Sequence, residues 1–63
     1  MYTWSIRLTY IEGYGDGSIS EHYYIKAKND IDALDSALTS FLNEFGLNFD
    51  DDIENIEWSY CRV

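Results

Sequence analysis

The sequence contains no proline, one cysteine, one histidine and only four basic residues, and these shortages exclude several classes of protein. A single cysteine, Cys61, cannot form the paired framework of a disulfide-stabilised secreted domain. No apolar run approaches the roughly 20 residues of a membrane-spanning helix. The first residues also lack the basic start and apolar core of a signal peptide. We therefore expect a reduced, intracellular protein.

The length and composition predict one small folded domain over residues 1–63. A chain of 63 residues buries only about 60% of its unfolded surface, so its stability is marginal. Hydrophobic residues make up 46% and charged residues 25%, which is typical of globular proteins. Aromatic residues reach 17%, and their large rings bury much area per residue, which helps a small core.

Charge is the most unusual property of the chain. Twelve acidic residues oppose four basic ones, which gives a formal net charge of −8. Direct binding to nucleic acid is disfavoured, because a phosphate-binding surface needs lysine and arginine. Anionic membranes are disfavoured for the same reason. A basic protein partner is favoured, since complementary potentials speed encounter; the alternative is that the charge only confers solubility.

Period-two alternation predicts two strands joined by a glycine-rich turn. The first, Tyr2–Ile11, places one set of apolar side chains on a single face: Tyr2, Trp4, Ile6, Leu8 and Tyr10. The second, Ile19–Lys28, points Tyr23, Ile25 and Ala27 inward and Tyr24 outward. Gly13, Gly15 and Gly17 lie between them and favour a hairpin turn.

A helix is predicted over Asp30–Phe45. Asn29 is a suitable N-cap, and Gly46 is placed to end the helix in a left-handed conformation. One apolar stripe follows the helical period through Ile31, Leu34, Leu38, Phe41 and Phe45. After an acidic loop, a third strand is predicted with three inward core residues, namely Ile56, Trp58 and Tyr60.

These elements predict an α+β fold of order ββαβ. Placing the third strand beside the first makes every strand pair antiparallel and the first strand central. We therefore expect a three-stranded antiparallel sheet of order 2-1-3 with one helix packed on one face. The other face is open to water, which antiparallel sheets tolerate.

Catalytic and metal-binding patterns are weak. His22 and Cys61 lie on strands that the predicted order separates, and a single-helix domain offers little of the cleft that a nucleophile needs. Asn48, Asp50, Asp52 and Glu54 imitate a calcium loop, but Ile53 stands at the glycine position and Ser59 at the final glutamate position. We expect no enzyme activity, no cofactor and no metal site.

Carboxylates and two tyrosines are the candidate partner-binding residues. Asp30, Asp32 and Asp35 lie in the first turns of the helix, where the helix dipole favours negative charge. Asp50, Asp51 and Asp52 lie in the acidic loop with no evident structural reason, and Glu54 and Glu57 follow them. Tyr14 in the glycine turn and Tyr24 on the outer face have no predicted core role, and exposed tyrosine is enriched at interface hot spots.

The segments "NDIDALD" and "NFDDDIENIE", with the compact ββαβ order, resemble a class of very small acidic inhibitors encoded by phages. That class includes anti-CRISPR proteins and uracil-DNA glycosylase inhibitors, several of which are DNA mimics. The resemblance implies a non-catalytic inhibitor in the cytoplasm of a bacterial host cell, whose acidic surface blocks a basic nucleic-acid-binding site. The alternative is a generic interaction module or a homodimer that pairs through a sheet edge or the open sheet face.

Overall fold

Three strands and one long helix form the predicted ββαβ architecture in the computed structural model, which describes residues 1–11 and 18–63. The strands are β1 (Tyr2–Ile11), β2 (Ser18–Ala27) and β3 (Ile56–Arg62), and the long helix is α1 (Asp30–Phe45). The bounds predicted for β1 and α1 are confirmed, whereas β2 begins and ends one residue earlier than expected. The glycine-rich turn, with Tyr14, lies outside the described residues.

The sheet has the predicted order β2-β1-β3, and both strand pairs are antiparallel. Ile6 at the centre of β1 lies opposite Tyr23 of β2 and Tyr60 of β3. Residues that face each other across an antiparallel pair share one side of the sheet. These three side chains therefore point toward α1, and their neighbours along each strand point to the open face.

The core lies between α1 and this side of the sheet. Among residues 1–11 and 18–63, seven are buried: Ile6, Leu8, Ala27, Ala33, Ala37, Phe41 and Ile56. Because Ala33 and Ala37 are small and fully buried, they let the helix approach the strands closely. The alanine side of α1 faces the sheet. Ile31, which was predicted to lie in the apolar stripe, is instead 74% exposed.

Both ends of α1 are capped as predicted. The Asn29 side chain accepts a hydrogen bond from the Asp32 backbone N–H at 2.8 Å. Gly46 adopts a left-handed conformation with φ of 65°, and Leu47 donates its backbone N–H to the Leu42 carbonyl at 2.9 Å. Leu47 is half-buried against the core, which turns the chain back toward the sheet.

The segment predicted as an acidic loop is helical, which corrects that prediction. A one-turn helix, α2 (Phe49–Asp52), is followed by a 3₁₀ turn at Ile53–Asn55, and together they lead into β3. The Asn48 side chain caps the turn by accepting from the Asp50 backbone N–H at 2.9 Å. Within residues 1–11 and 18–63, neither helix is long and apolar enough to cross a membrane.

Candidate functional site

The candidate carboxylates form two groups at opposite ends of α1. The first acidic group is Asp30, Asp32 and Asp35, and the second is Asp50, Asp51, Asp52 and Glu54. The helix α1 has 16 residues and is about 24 Å long; the first group lies in its first two turns, and the second lies beyond its C-terminal end. The acidic residues therefore do not make one continuous patch, and the strand β3 runs from the second group toward the first.

The first acidic group divides into one anchored and two exposed carboxylates. Asp30 accepts its neighbour's backbone N–H on Oδ1 at 2.9 Å and the Tyr60 hydroxyl on Oδ2 at 2.8 Å. That hydrogen bond, together with the negative charge of Asp30, raises the pKa of Tyr60. Asp32 and Asp35 are exposed, so their carboxylates are available to a partner.

The second acidic group contains a structural aspartate that the sequence did not reveal. Asp52 accepts the Asn48 backbone N–H on Oδ2 at 2.7 Å and the Tyr10 hydroxyl on Oδ1 at 3.2 Å. The Asn48 side chain in turn accepts hydrogen bonds from the backbone N–H groups of Asp50 and Asp51. The side chains of Asn48 and Asp52 thus both satisfy backbone N–H groups at the start of the same turn. The prediction that all three consecutive aspartates lack a structural reason is therefore wrong: Asp52 bonds to the fold, and Asp50 and Asp51 lie in the first turn of α2, where the N-terminal end of a helix favours negative charge.

Asp50, Asp51 and Glu54 remain exposed carboxylates at the end of the molecule where β3 begins. Within the described part of the chain, their side chains take part in no hydrogen bond or ion pair. Only the backbone N–H groups of Asp50 and Asp51 are used, by the Asn48 cap. Three negative charges within five positions are thus held on short helical turns, where they repel each other.

Glu57 lies on the open face of the sheet, apart from both acidic groups. It lies opposite Thr9 on β1 and is the diagonal cross-strand neighbour of Arg7. Its side chain is exposed. Although Glu57 and Arg7 share this face, they form no ion pair in the described structure. Glu57 is therefore available to a partner that contacts the open face or the β3 edge.

The open face also carries Tyr24, the second predicted tyrosine anchor. Its side chain is 67% exposed, and its ring stacks on His22 at 4.8 Å between centroids. His22 is hydrogen-bonded to Ser5 on the central strand. The other predicted anchor, Tyr14, lies outside the described residues. Tyr24 is therefore a fixed exposed ring on the face opposite to α1.

Trp58 and Tyr60 are the exposed residues that sequence analysis missed, since it assigned both to the core. They point toward the helix side of the sheet, yet they are 46% and 45% exposed. α1 packs over β1 and β2, so it leaves the helix side of β3 largely uncovered. No local pattern signalled this exposure, because Trp58 and Tyr60 alternate along the strand like core residues.

The single histidine and the single cysteine lie on the open face of the sheet. His22 and Cys61 line one shallow depression on the open face with Ser5, Arg7 and Ser59, but β1 separates their strands. Among residues 1–11 and 18–63, no cluster of three or more histidine, cysteine or carboxylate side chains could hold a metal ion. The depression that holds His22 and Cys61 is open to solvent rather than enclosed.

Comparisons with known proteins give no family for this chain. No protein-family model matches it, and no curated protein or solved structure matches it either.

Proposed function

We propose that this protein is a non-catalytic inhibitor whose acidic surface occupies a basic nucleic-acid-binding site on a protein of a bacterial host cell. The observation that carries the proposal is the set of exposed, unpaired carboxylates on Asp50, Asp51 and Glu54. The resemblance in size, charge and layout to phage-encoded inhibitors supports the same function. Asp32 and Asp35 extend the negative charge at the other end of α1.

The balance of charge supports a basic partner. Asp50 and Glu54 are four positions apart on helical turns, a spacing at which like charges destabilise the folded chain unless an opposite charge lies near. Dense lysine and arginine surfaces occur above all where proteins bind the phosphate backbone. The carboxylates of this chain can take the place of phosphates there, because they are anionic oxygen acceptors that lysine and arginine bind in the same way.

Affinity capture from a bacterial lysate tests this function when it is combined with competition by duplex DNA. We expect the immobilised chain to retain nucleic-acid-binding proteins at low salt and to release them at high salt, since salt screens exposed charges. Added duplex DNA should release the same proteins, because it competes for the same basic site. Retention of the partner in excess DNA contradicts the proposal.

A matched pair of variants makes the capture specific to the second acidic group. Asp50→Lys/Asp51→Lys/Glu54→Lys reverses the unpaired carboxylates and leaves Asp52, which is part of the fold, intact. This variant should lose the partner. Asp50→Glu/Asp51→Glu keeps the charge and should retain it. Equal capture by the lysine variant and the wild type contradicts a role for these residues.

The second candidate function is a generic interaction module or a homodimer without nucleic-acid mimicry. The exposed rings of Trp58 and Tyr60 on an edge strand favour it, because such surfaces pair with other chains. Light scattering at micromolar concentration separates the two candidates. A dimer that persists at low salt supports the module, and a strict monomer removes the homodimer.

A further inference from the structure

We propose that the free edge of β3 binds an extended polypeptide segment with basic side chains, which joins the sheet as a fourth strand. This proposal rests on the proposed function only for the basic character of the partner. It adds the place of docking and the mode of recognition. In strand addition, backbone hydrogen bonds supply affinity, and alternate side chains supply specificity.

The hydrogen-bond pattern shows which groups the β3 edge presents. Val63 donates its backbone N–H to Thr3 on β1 at 2.9 Å, in line with the register of the pair. Residues of an antiparallel strand alternate between bonding to the neighbour and pointing away from it. Because Val63 bonds to β1, the backbone groups of Trp58, Tyr60 and Arg62 point outward. In the described structure β3 pairs with β1 alone, so these groups are open to a further strand.

An apolar surface lies above this edge on the helix side. Glu44 accepts a hydrogen bond from the Tyr23 hydroxyl at 3.1 Å, which places that side of α1 over β2. The helical period places Ile31, Leu34 and Leu38 on the other flank of the buried alanine stripe from Glu44. This flank of α1 therefore faces β3. Ile31 is 74% exposed, and the half-exposed rings of Trp58 and Tyr60 lie on the same side of the sheet as α1. An incoming strand finds apolar contacts there.

The Tyr60 ring on this edge is already held in position. The Tyr60 hydroxyl donates to Asp30 at 2.8 Å, which ties β3 to the start of α1. The Trp4 ring contacts Tyr60 edge-on, with centroids 6.3 Å apart. A surface that is fixed before binding loses less side-chain entropy when a partner docks. The edge is therefore suited to binding without rearrangement.

The opposite edge of the sheet differs in ways that disfavour strand addition. There the alternation points the backbone groups of His22, Tyr24 and Lys26 outward, and their side chains lie on the open face. Lysine on an edge strand opposes pairing with another strand. On the helix side, Tyr23 and Ile25 of β2 are half-buried under α1 rather than left uncovered. We therefore assign the docking to β3 alone.

Charge complementarity selects a basic segment over a second copy of this chain. Asp50, Asp51 and Glu54 flank the start of β3, Glu57 lies on its open-face side, and Asp30 lies near its end. The basic residue of β3, Arg62, holds its guanidinium over the Tyr2 ring at 4.5 Å. A second copy brings another net charge of −8 to this edge, whereas a basic strand places its cations against these carboxylates.

Synthetic peptides bound to the full chain test the proposal by backbone amide NMR and hydrogen exchange. The probe is a peptide of alternating lysine and valine. One control has the same charge with proline at alternate positions, which removes the N–H groups that a strand needs. The other control alternates threonine and valine without charge. We expect the lysine–valine peptide alone to protect the outward amides of Trp58, Tyr60 and Arg62 from exchange.

Variants on the two edges provide the matched comparison. Trp58→Thr/Tyr60→Thr keeps strand propensity and removes the rings, and it should weaken peptide binding on the order of tenfold. His22→Thr removes an exposed ring from the β2 edge and should leave binding within about twofold. The amide spectrum of each variant without peptide reports whether the fold is retained. Equal weakening by both changes overturns the assignment to β3.

Three further results would overturn the proposal, and each is distinguishable from failure of the proposed function. If the proline peptide binds equally well and shifts only the amides of Asp50 and Asp51, the peptides bind by charge attraction alone. That result overturns strand addition but is compatible with the proposed inhibitor function. Equal binding of the uncharged peptide removes the preference for a basic segment. Protection of the β3 amides without peptide, in a dimer that forms as concentration rises, means that a second copy occupies the edge.

Discussion

The Tyr10 hydroxyl donates a hydrogen bond to the Asp52 carboxylate at 3.2 Å, across 42 positions of sequence. This contact joins the end of the central strand β1 to the last residue of α2. The same carboxylate accepts the Asn48 backbone N–H at 2.7 Å, so Asp52 fixes the turn that feeds β3. One of three consecutive aspartates is therefore part of the fold, and its neighbours are available for binding.

Replacing Asp52 should destabilise the domain, whereas replacing Asp51 should not. Asp52→Ala removes both hydrogen bonds and leaves the Asn48 N–H without its acceptor, which should lower the free energy of unfolding by about 1–2 kcal/mol. Asp51→Ala changes an exposed side chain and should stay within about 0.5 kcal/mol of the wild type. Urea unfolding of both variants measures the difference, and equal stability would contradict the structural role of Asp52.

Local patterns predicted the elements because each depends on neighbouring residues. Alternation in Tyr2–Ile11 and the Asn29 and Gly46 signals around α1 are local, and the corresponding bounds are confirmed. The strand order followed from requiring antiparallel neighbours, and it too is confirmed. Strand identity and order could thus be predicted without knowledge of the tertiary contacts.

The exposure of individual side chains could not be predicted in the same way. Trp58 and Tyr60 alternate like core residues, yet α1 does not reach over β3 to cover them. The role of Asp52 depends on Tyr10, a distant residue that no local pattern connects to it. Both features follow from how the helix and the last turn rest on the sheet, which only the three-dimensional structure specifies.

Loss of the α1 N-cap should have a measurable cost. Asn29→Ala removes the acceptor of the Asp32 backbone N–H, a bond of 2.8 Å, and should lower the free energy of unfolding by about 1 kcal/mol. Asn43→Ala lies at an exposed position inside the same helix, where alanine has the higher helix propensity, so stability should stay equal or rise slightly. Thermal unfolding followed by circular dichroism compares the two, and a larger loss for Asn43→Ala would contradict the capping account.

Enlarging a buried alanine should separate α1 from the sheet. Ala37 is fully buried at the helix–sheet contact, so Ala37→Leu should destabilise the domain by about 1–3 kcal/mol through overpacking. Thr39→Leu introduces the same side chain at an exposed position of α1 and should have little effect. Urea midpoints report the stabilities; a tolerated leucine at position 37 would mean that the helix does not rest on its alanine side.

Alkaline pH should weaken the fold through Tyr23. Partial burial, the hydrogen bond to Glu44 and the negative charges of Glu44 and Glu21 raise the pKa of Tyr23 from 10.0 to about 12. Between these values the unfolded chain releases the proton that the folded chain keeps. The unfolded state then binds fewer protons, so stability falls as pH rises. The contribution of Tyr23 is complete below pH 10 and is lost as pH approaches 12.

Phenylalanine variants isolate this contribution from other groups that titrate in the same range. Tyr23→Phe should show a shallower loss of urea stability between pH 10 and 12, because the ionising hydroxyl is gone. Tyr24→Phe removes an exposed hydroxyl that makes no hydrogen bond in the described structure, and it should follow the wild type. Parallel loss of stability in all three proteins would show that the Tyr23–Glu44 contact does not couple folding to pH.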